Sequence, residues 1–237
     1  MAGASSTPKP FAIVADLRTG STLLASSLDE HPQIRCYGEL FHSEDLPDNL
    51  IGGLDRLGAS AEAILERAMQ VGGVEACGFK AMTFLPLPAA TQWVDAWDRI
   101  RELPGLRVIW LTRRDRLAQY ASAEVVRHTG LFHPNDDDRI FRPEQRPVIR
   151  IDPDEFRSWV RERDAQLRRR RALLRGLPAL DLDYETLTGD WERSTTCVQR
   201  FLEVDVVPLE QQKKKQERRP LADVIANYAE FQDRLRG

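Results

Sequence analysis

Phe11-Ala12-Ile13-Val14-Ala15, then Arg18-Thr19-Gly20-Ser21-Thr22, then Leu23-Leu24-Ala25-Ser26-Ser27-Leu28 succeed one another near the amino end, with only Asp16-Leu17 between the first two blocks. The first block has the length and unbroken apolar character of a buried parallel strand, and the leucines at 24 and 28 repeat at helical spacing. Between strand and helix, Gly20 lets the backbone approach an anion, and the amides of Ser21 and Thr22 fall at the positive end of the helix dipole. The Arg18 guanidinium and the neighbouring hydroxyls complete the grip, so Arg18, Thr19, Gly20, Ser21 and Thr22 are the candidate ligand-binding residues here. The pattern predicts an α/β fold, a central parallel sheet flanked by helices with a P-loop-like nucleotide-binding turn, and a nucleotide-derived ligand. The plainer alternative is a tight turn in which Ser and Thr only cap the helix.

What the turn lacks is equally informative. A nucleoside triphosphatase turn ends Gly-Lys-Ser or Gly-Lys-Thr, and a dinucleotide fold carries Gly-x-Gly-x-x-Gly at this place. Neither pattern is present.

Three further stretches follow in order. Leu106 to Leu111 is a second buried strand, leading through Arg113-Arg114-Asp115 into a helix with Leu117, Gln119 and Ser122. Asp181-Leu182-Asp183-Tyr184-Glu185-Thr186-Leu187 reads as a short strand, and Tyr184 offers a flat ring that can meet a base or fill a core. Lys213-Lys214-Lys215-Gln216-Glu217-Arg218-Arg219-Pro220 precedes a terminal helix ending near Leu235; alone, such a run is a solvated segment.

Taken together, these stretches resemble the sulfotransferases that use 3'-phosphoadenosine 5'-phosphosulfate (PAPS), and most closely their bacterial carbohydrate branch, of the trehalose 2-sulfotransferase and nodulation-factor sulfotransferase type. The resemblance covers most of the chain. It implies that the first turn holds the 5'-phosphosulfate and that Arg113 and Ser122 clamp the 3'-phosphate, with Arg114 left open as the alternative arginine. It also implies that Tyr184 lies against the adenine and that Lys215, Gln216 and Arg219 belong to a basic loop closing the pocket. Glu39-Leu40-Phe41 matches the branch's general base, so Glu39 is the candidate catalytic carboxylate beside Arg18, with His42 and His31 as rivals. His31 sits in His-Pro after the first helix and is better read as a turn residue. Leu23 stands where animal-type cytosolic enzymes carry a base-stacking Trp, which favours the carbohydrate branch.

Lys80, in Gly78-Phe79-Lys80-Ala81-Met82, lies inside a predicted strand, where an ammonium is costly unless it meets an anion or snorkels from a sheet edge. The branch has a similar Gly-x-Lys segment, which makes Lys80 a sulfate or acceptor contact; His42 is a second acceptor candidate. The implied reaction is sulfuryl transfer from PAPS to a hydroxyl of a small molecule or glycan, with a lipid-linked or secondary-metabolite hydroxyl as runner-up. A magnesium-dependent phosphotransferase and a non-catalytic nucleotide-binding module are the rivals of other classes. No metal is expected, since sulfuryl transfer carries less charge than phosphoryl transfer, and EDTA should not inhibit. Asp136-Asp137-Asp138 lacks calcium-loop spacing.

At 237 residues and 42% hydrophobic, the chain suits one domain spanning 1–237, with residues 1–9 as a flexible lead-in. A net charge of -3 argues against a nucleic-acid partner. Cys36, Cys77 and Cys197 lack paired metal-ligand spacing and suit a reducing cytoplasm. No signal-peptide core and no membrane-length apolar run is present. A homodimer is neither required nor opposed. Helices are expected over 61–71, 93–103, 115–127 and 152–175, and strands near 36–42 and over 76–82. Residues 128–150 read as a long loop, a substrate lid or wall. The Arg168 to Arg171 run reads as an exposed charged face.

Overall fold

Five strands, β1 (Lys9–Ala15), β2 (Ile34–Glu39), β3 (Ala76–Met82), β4 (Arg107–Thr112) and β5 (Ala179–Asp183), lie in one sheet in the order β2-β3-β1-β4-β5. Every pairing is parallel. The computed structural model describes residues 7–41, 59–85, 93–130, 147–212 and 219–236. Around the sheet lie α1 (Ser21–Asp29), α2 (Ala61–Met69), α3 (Ala96–Glu102), α4 (Arg116–Thr129), α5 (Pro153–Leu173), α6 (Tyr184–Gly189), α7 (Trp191–Leu202), α8 (Leu221–Val224) and α9 (Tyr228–Arg236).

A parallel sheet covered on both faces needs strands that are apolar on both sides, and β1 from Pro10 on and β3 apart from Lys80 are. Ala12, Val14, Phe79, Ala81, Val108 and Trp110 face a layer with α2, α3 and the end of α5. Phe11, Ile13, Ala15, Ile109 and Leu111 face α1 and α7 through Leu24, Leu28, Val198 and Leu202. Gly78 is required here: a Cβ on it would stand 2.5 Å from the Phe11 ring. A third cluster, including Tyr120, Phe156, Val224, Ile225 and Phe231, joins α4, α5, α8 and α9.

The chain first fills the β3 side of β1 and then crosses to β4 on the other side. The strand order therefore reverses at β1 and β4, and ligands of open α/β sheets bind at the carboxyl ends of strands at such a point.

The strand expected over 76–82 is β3 itself, while other expectations shift. The lead-in ends early, because Lys9 already belongs to β1 and its amide bonds the Glu75 carbonyl at 2.9 Å. The helix expected from Trp93 starts at Ala96. α4 continues to Thr129 and stops at Gly130, whose φ of 69° suits glycine. Ile149 then bridges Ile225, so both ends of the expected 128–150 loop are ordered, and 131–146 lie outside the described residues. α5 opens at Asp152, which accepts from the amides of Asp154 and Glu155, with Pro153 at the first helical position. The strand expected over 181–187 ends at Asp183, because that carboxylate caps α6 by accepting from the Thr186 amide at 2.8 Å.

The Arg168 to Arg171 run is an exposed face apart from Arg170, which is half-buried. Arg168 and Arg169 are exposed. Arg170 donates to the carbonyls of Thr83 and Leu85 and lies over Trp97 at 4.5 Å, while Arg171 lies over Trp110 at 4.7 Å and pairs with Asp181. Aliphatic stems and flat guanidiniums thus fasten α5 to the sheet.

Candidate functional site

Past the end of β1 the backbone takes a conformation that local preference would not choose. Arg18 has φ 60° and Gly20 has φ 84°, the left-handed region that costs an L-residue about 1–2 kcal/mol. The neighbouring side chains hold it there. The Asp16 carbonyl accepts from the Thr19 hydroxyl at 2.9 Å, the Leu17 carbonyl from Gln119 Nε2 at 2.7 Å, and the Arg18 carbonyl from Arg113 Nη1 at 3.0 Å. Successive carbonyls are thereby tied to side chains. α1 then begins at Ser21 with Gly20 as its N-cap and no side-chain cap, in contrast to the Ser60 and Asp152 caps of α2 and α5. The Ser and Thr of the turn are not capping the helix, which overturns the plainer sequence alternative.

Two guanidiniums meet over this turn. Arg18 Nε donates to Ser122 Oγ of α4 at 2.9 Å, and Arg113, at the exit of β4, reaches across to the Arg18 carbonyl. The Arg113 guanidinium lies 4.5 Å from the centre of the Tyr184 ring, and that ring also packs on Gly20, where a Cβ would come within 2.8 Å of Cδ2. Burial, followed by the Arg113 charge and opposed by Tyr184, lowers the Arg18 pKa from the ordinary guanidinium range to about 10. Arg113 Nε is buried without a hydrogen-bond partner. Two like charges sharing a half-buried place with an unpartnered donor fit an anionic ligand.

Arg114, the alternative arginine, is exposed and pairs with Asp183 at 3.2 Å and Glu185 at 3.8 Å. Of the two, Arg113 is the one that meets Arg18 and Tyr184.

A second group lies on the β3 side. Lys80 is 4% exposed on an interior strand, so the edge-strand alternative does not apply. Its ammonium donates to Glu39 Oε1 at 2.8 Å and to Thr22 Oγ1 at 3.0 Å. The meeting with Glu39 depends on an irregularity in β2: Tyr37 pairs Phe79, Gly38 is skipped, and Glu39 pairs Lys80. Such a bulge re-aims the side chain that follows it. Thr22 of α1 thus links the carboxylate and ammonium to the turn after β1.

Among the other expected residues, Thr19 is 1% exposed and spends its hydroxyl on the turn, and Ser21 is buried at the start of α1. Arg219 donates to the Pro147 carbonyl at 3.3 Å. His42, Lys215 and Gln216 lie outside the described residues. His31 is a turn residue: Nδ1 accepts from the Gln33 amide at 3.0 Å and Nε2 meets the Asp205 carbonyl at 2.9 Å. Gln119, Asp16 and Arg163 had no expected role. The only sequence signals for them are a polar residue at a strand exit and a cation within an apolar helix stripe. Among the described residues no His/Cys/Asp/Glu group could hold a metal ion, and no helix is long and apolar enough to cross a membrane.

The site thus combines a parallel sheet with a helix start that has no side-chain cap at its switch point, two converging arginines and a lysine-carboxylate pair, an arrangement that suits an anionic ligand. A family model described as "Sulfotransferase family" matches residues 10–208, and the chain belongs to that family and is a sulfotransferase. It is 27% identical over 240 residues to nodulation protein H of Rhizobium meliloti, covering 94% of this chain and 90% of the relative. Against nodulation protein H of Rhizobium tropici it is 27% identical over 245 residues, covering 97% and 90%. Its fold is shared with a sulfotransferase from Alicyclobacillus acidocaldarius, at TM-score 0.56 and 17% identity over 97% of this chain and 90% of the other. The sulfotransferase domain from the curacin biosynthetic pathway gives TM-score 0.53 and 15% identity, covering 96% and 87%.

Proposed function

We propose that the chain transfers a sulfuryl group from PAPS to a carbohydrate hydroxyl, with Glu39 as general base. The observation that carries the reading is the meeting of Arg18, Ser122, Arg113 and Tyr184 at the uncapped start of α1. One compact place with two guanidiniums and an aromatic ring suits a ligand that carries two phosphates on one nucleoside. In this reading Arg18 and the amides of Ser21 and Thr22 hold the 5'-phosphosulfate, Arg113 and Ser122 hold the 3'-phosphate, and Tyr184 borders the adenine.

The acceptor hydroxyl gives its proton to Glu39, its oxygen attacks sulfur, and the bond from sulfur to the phosphate oxygen breaks in line. The products are a sulfate ester, adenosine 3',5'-bisphosphate and a proton. Arg18 and the loop amides neutralise the charge that grows on the leaving phosphate, and fixed donors act strongly in a half-buried place. Lys80 stands between Glu39 and Thr22, where it can hold the carboxylate in position and lie beside the moving sulfuryl oxygens.

A carbohydrate acceptor is supported by the Glu39-Leu40-Phe41 pattern and by Leu23, a 9% exposed residue of α1 where the animal-type branch has Trp. Free Cys36, Cys77 and Cys197 support a reducing compartment such as the cytoplasm. Turnover of PAPS against a panel of sugars tests the activity. Glu39→Gln should lower kcat by about 10² or more, the usual worth of a placed base, while leaving affinity for adenosine 3',5'-bisphosphate nearly unchanged. Loss of nucleotide affinity in that variant would remove Glu39 from the base role.

A further inference from the structure

Behind the anion-gripping turn lies a polar row that the reaction does not use. Ala15 pairs Met82 on one side and Leu111 on the other, so Asp16, Thr83 and Thr112 come next in register along the carboxyl edge of the sheet. Asp16 is 8% exposed and Thr83 1% exposed. Asp16 Oδ1 accepts from the Leu17 amide at 2.7 Å and stands 3.7 Å from Arg163 Nη1 of α5. Asp16 Oδ2 and Arg163 Nε are both buried without a hydrogen-bond partner. A cavity of about 10 Å³, the size of one water, is lined by both residues and by Thr19, Thr112 and Arg116. Arg116 in turn bonds Gln119, which bonds the Leu17 carbonyl.

We propose that Asp16 is a positioning residue for donor binding: its buried carboxylate, tied to Arg163 across a water-sized cavity, fixes the turn that carries Arg18 and Gly20. The proposal rests on the reading of that turn as the donor's anion site. A buried carboxylate with an incomplete hydrogen-bond set is expensive to keep, and the turn it braces holds two positive φ angles. The charged groups facing Asp16 are Arg163 and Glu162 from α5 and Arg116 from α4, and Arg116 is shared with Asp164.

Burial pushes the Asp16 carboxyl above its ordinary 3.8, with Arg163 opposing. The fold therefore favours the protonated form, so the group's contribution to stability is complete below pH 3.8 and is lost as pH rises through the raised value. At neutral pH the ionised carboxylate therefore costs stability, and removing its charge should not unfold the protein.

The test is calorimetric titration of adenosine 3',5'-bisphosphate into wild type, Asp16→Asn, Arg163→Gln and Arg163→Lys, with melting temperatures alongside. Asp16→Asn and Arg163→Gln should bind about tenfold more weakly, since small misplacements of positioning groups are amplified at the ligand, while Arg163→Lys keeps most of the affinity. Asp16→Asn should melt at or above wild type. Wild-type affinity in Asp16→Asn overturns the proposal, as does an Arg163→Lys affinity no better than that of Arg163→Gln. A melting temperature that falls together with affinity also overturns it, because Asp16 would then be a fold element. If wild type itself does not bind, the donor-site reading fails and this proposal with it.

Discussion

Arg18 sits where its own charge is uncomfortable. Its pKa of about 10, well below the ordinary guanidinium range, means that the fold disfavours the charged guanidinium at every pH below about 10, and that the cost is relieved only as pH rises above that value. That cost is on the order of a few kcal/mol, and an anion can remove it. Arg18→Gln should therefore keep or raise thermal stability without ligand, yet bind adenosine 3',5'-bisphosphate roughly ten- to a hundredfold more weakly, the worth of a charged hydrogen bond. Thermal melts and titration of the same sample check both halves. Gly20 is constrained in the opposite sense, by space and by φ 84° at once. Gly20→Ala should lose about 1–2 kcal/mol, roughly 2–8 °C in melting temperature for a chain of this size, and weaken the ligand by displacing Tyr184.

At the scale of elements, the site is an arrangement of strand exits. β1 gives the turn, β2 Glu39, β4 Arg113 and β5 leads to Tyr184, with Lys80 inside β3. The bulge at Gly38 decides whether Glu39 or its neighbour meets Lys80. Much of this was legible in the sequence, because Phe11 to Ala15 and Leu106 to Leu111 are near-continuous apolar runs, the form that strands buried on both faces must take. The helix at Asp152 was legible through its cap and proline. The Asp183 boundary was not, since an Asp within an alternating stretch reads as strand until its carboxylate is seen capping α6. Arg170 departs from its expected exposed face for a related reason: arginine on a helix looks like a wet surface, but its guanidinium can stack on Trp97 and settle on backbone carbonyls. Arg170→Ala should accordingly cost more stability than Arg169→Ala, by about 1–3 kcal/mol for the two carbonyls left unpaired, as read by denaturant unfolding.

At the scale of the whole molecule, the two faces of one sheet and the α4–α5–α9 cluster share elements, so unfolding is expected as one transition. Adenosine 3',5'-bisphosphate at 100 times its Kd should add about 2.7 kcal/mol to that transition. Arg18, Gly20, Arg113, Ser122 and Tyr184, which the fold brings together, stood out in the sequence because they belong to short local patterns. Gln119, Asp16 and Arg163 did not, because their roles exist only once β1, α4 and α5 are packed together. The decisive measurement is a crystal structure with adenosine 3',5'-bisphosphate bound. One nucleotide is expected, with its 5'-phosphate on Arg18 and the amides of Ser21 and Thr22, and its 3'-phosphate on Arg113 and Ser122. A nucleotide whose phosphates leave either cluster untouched would contradict that reading.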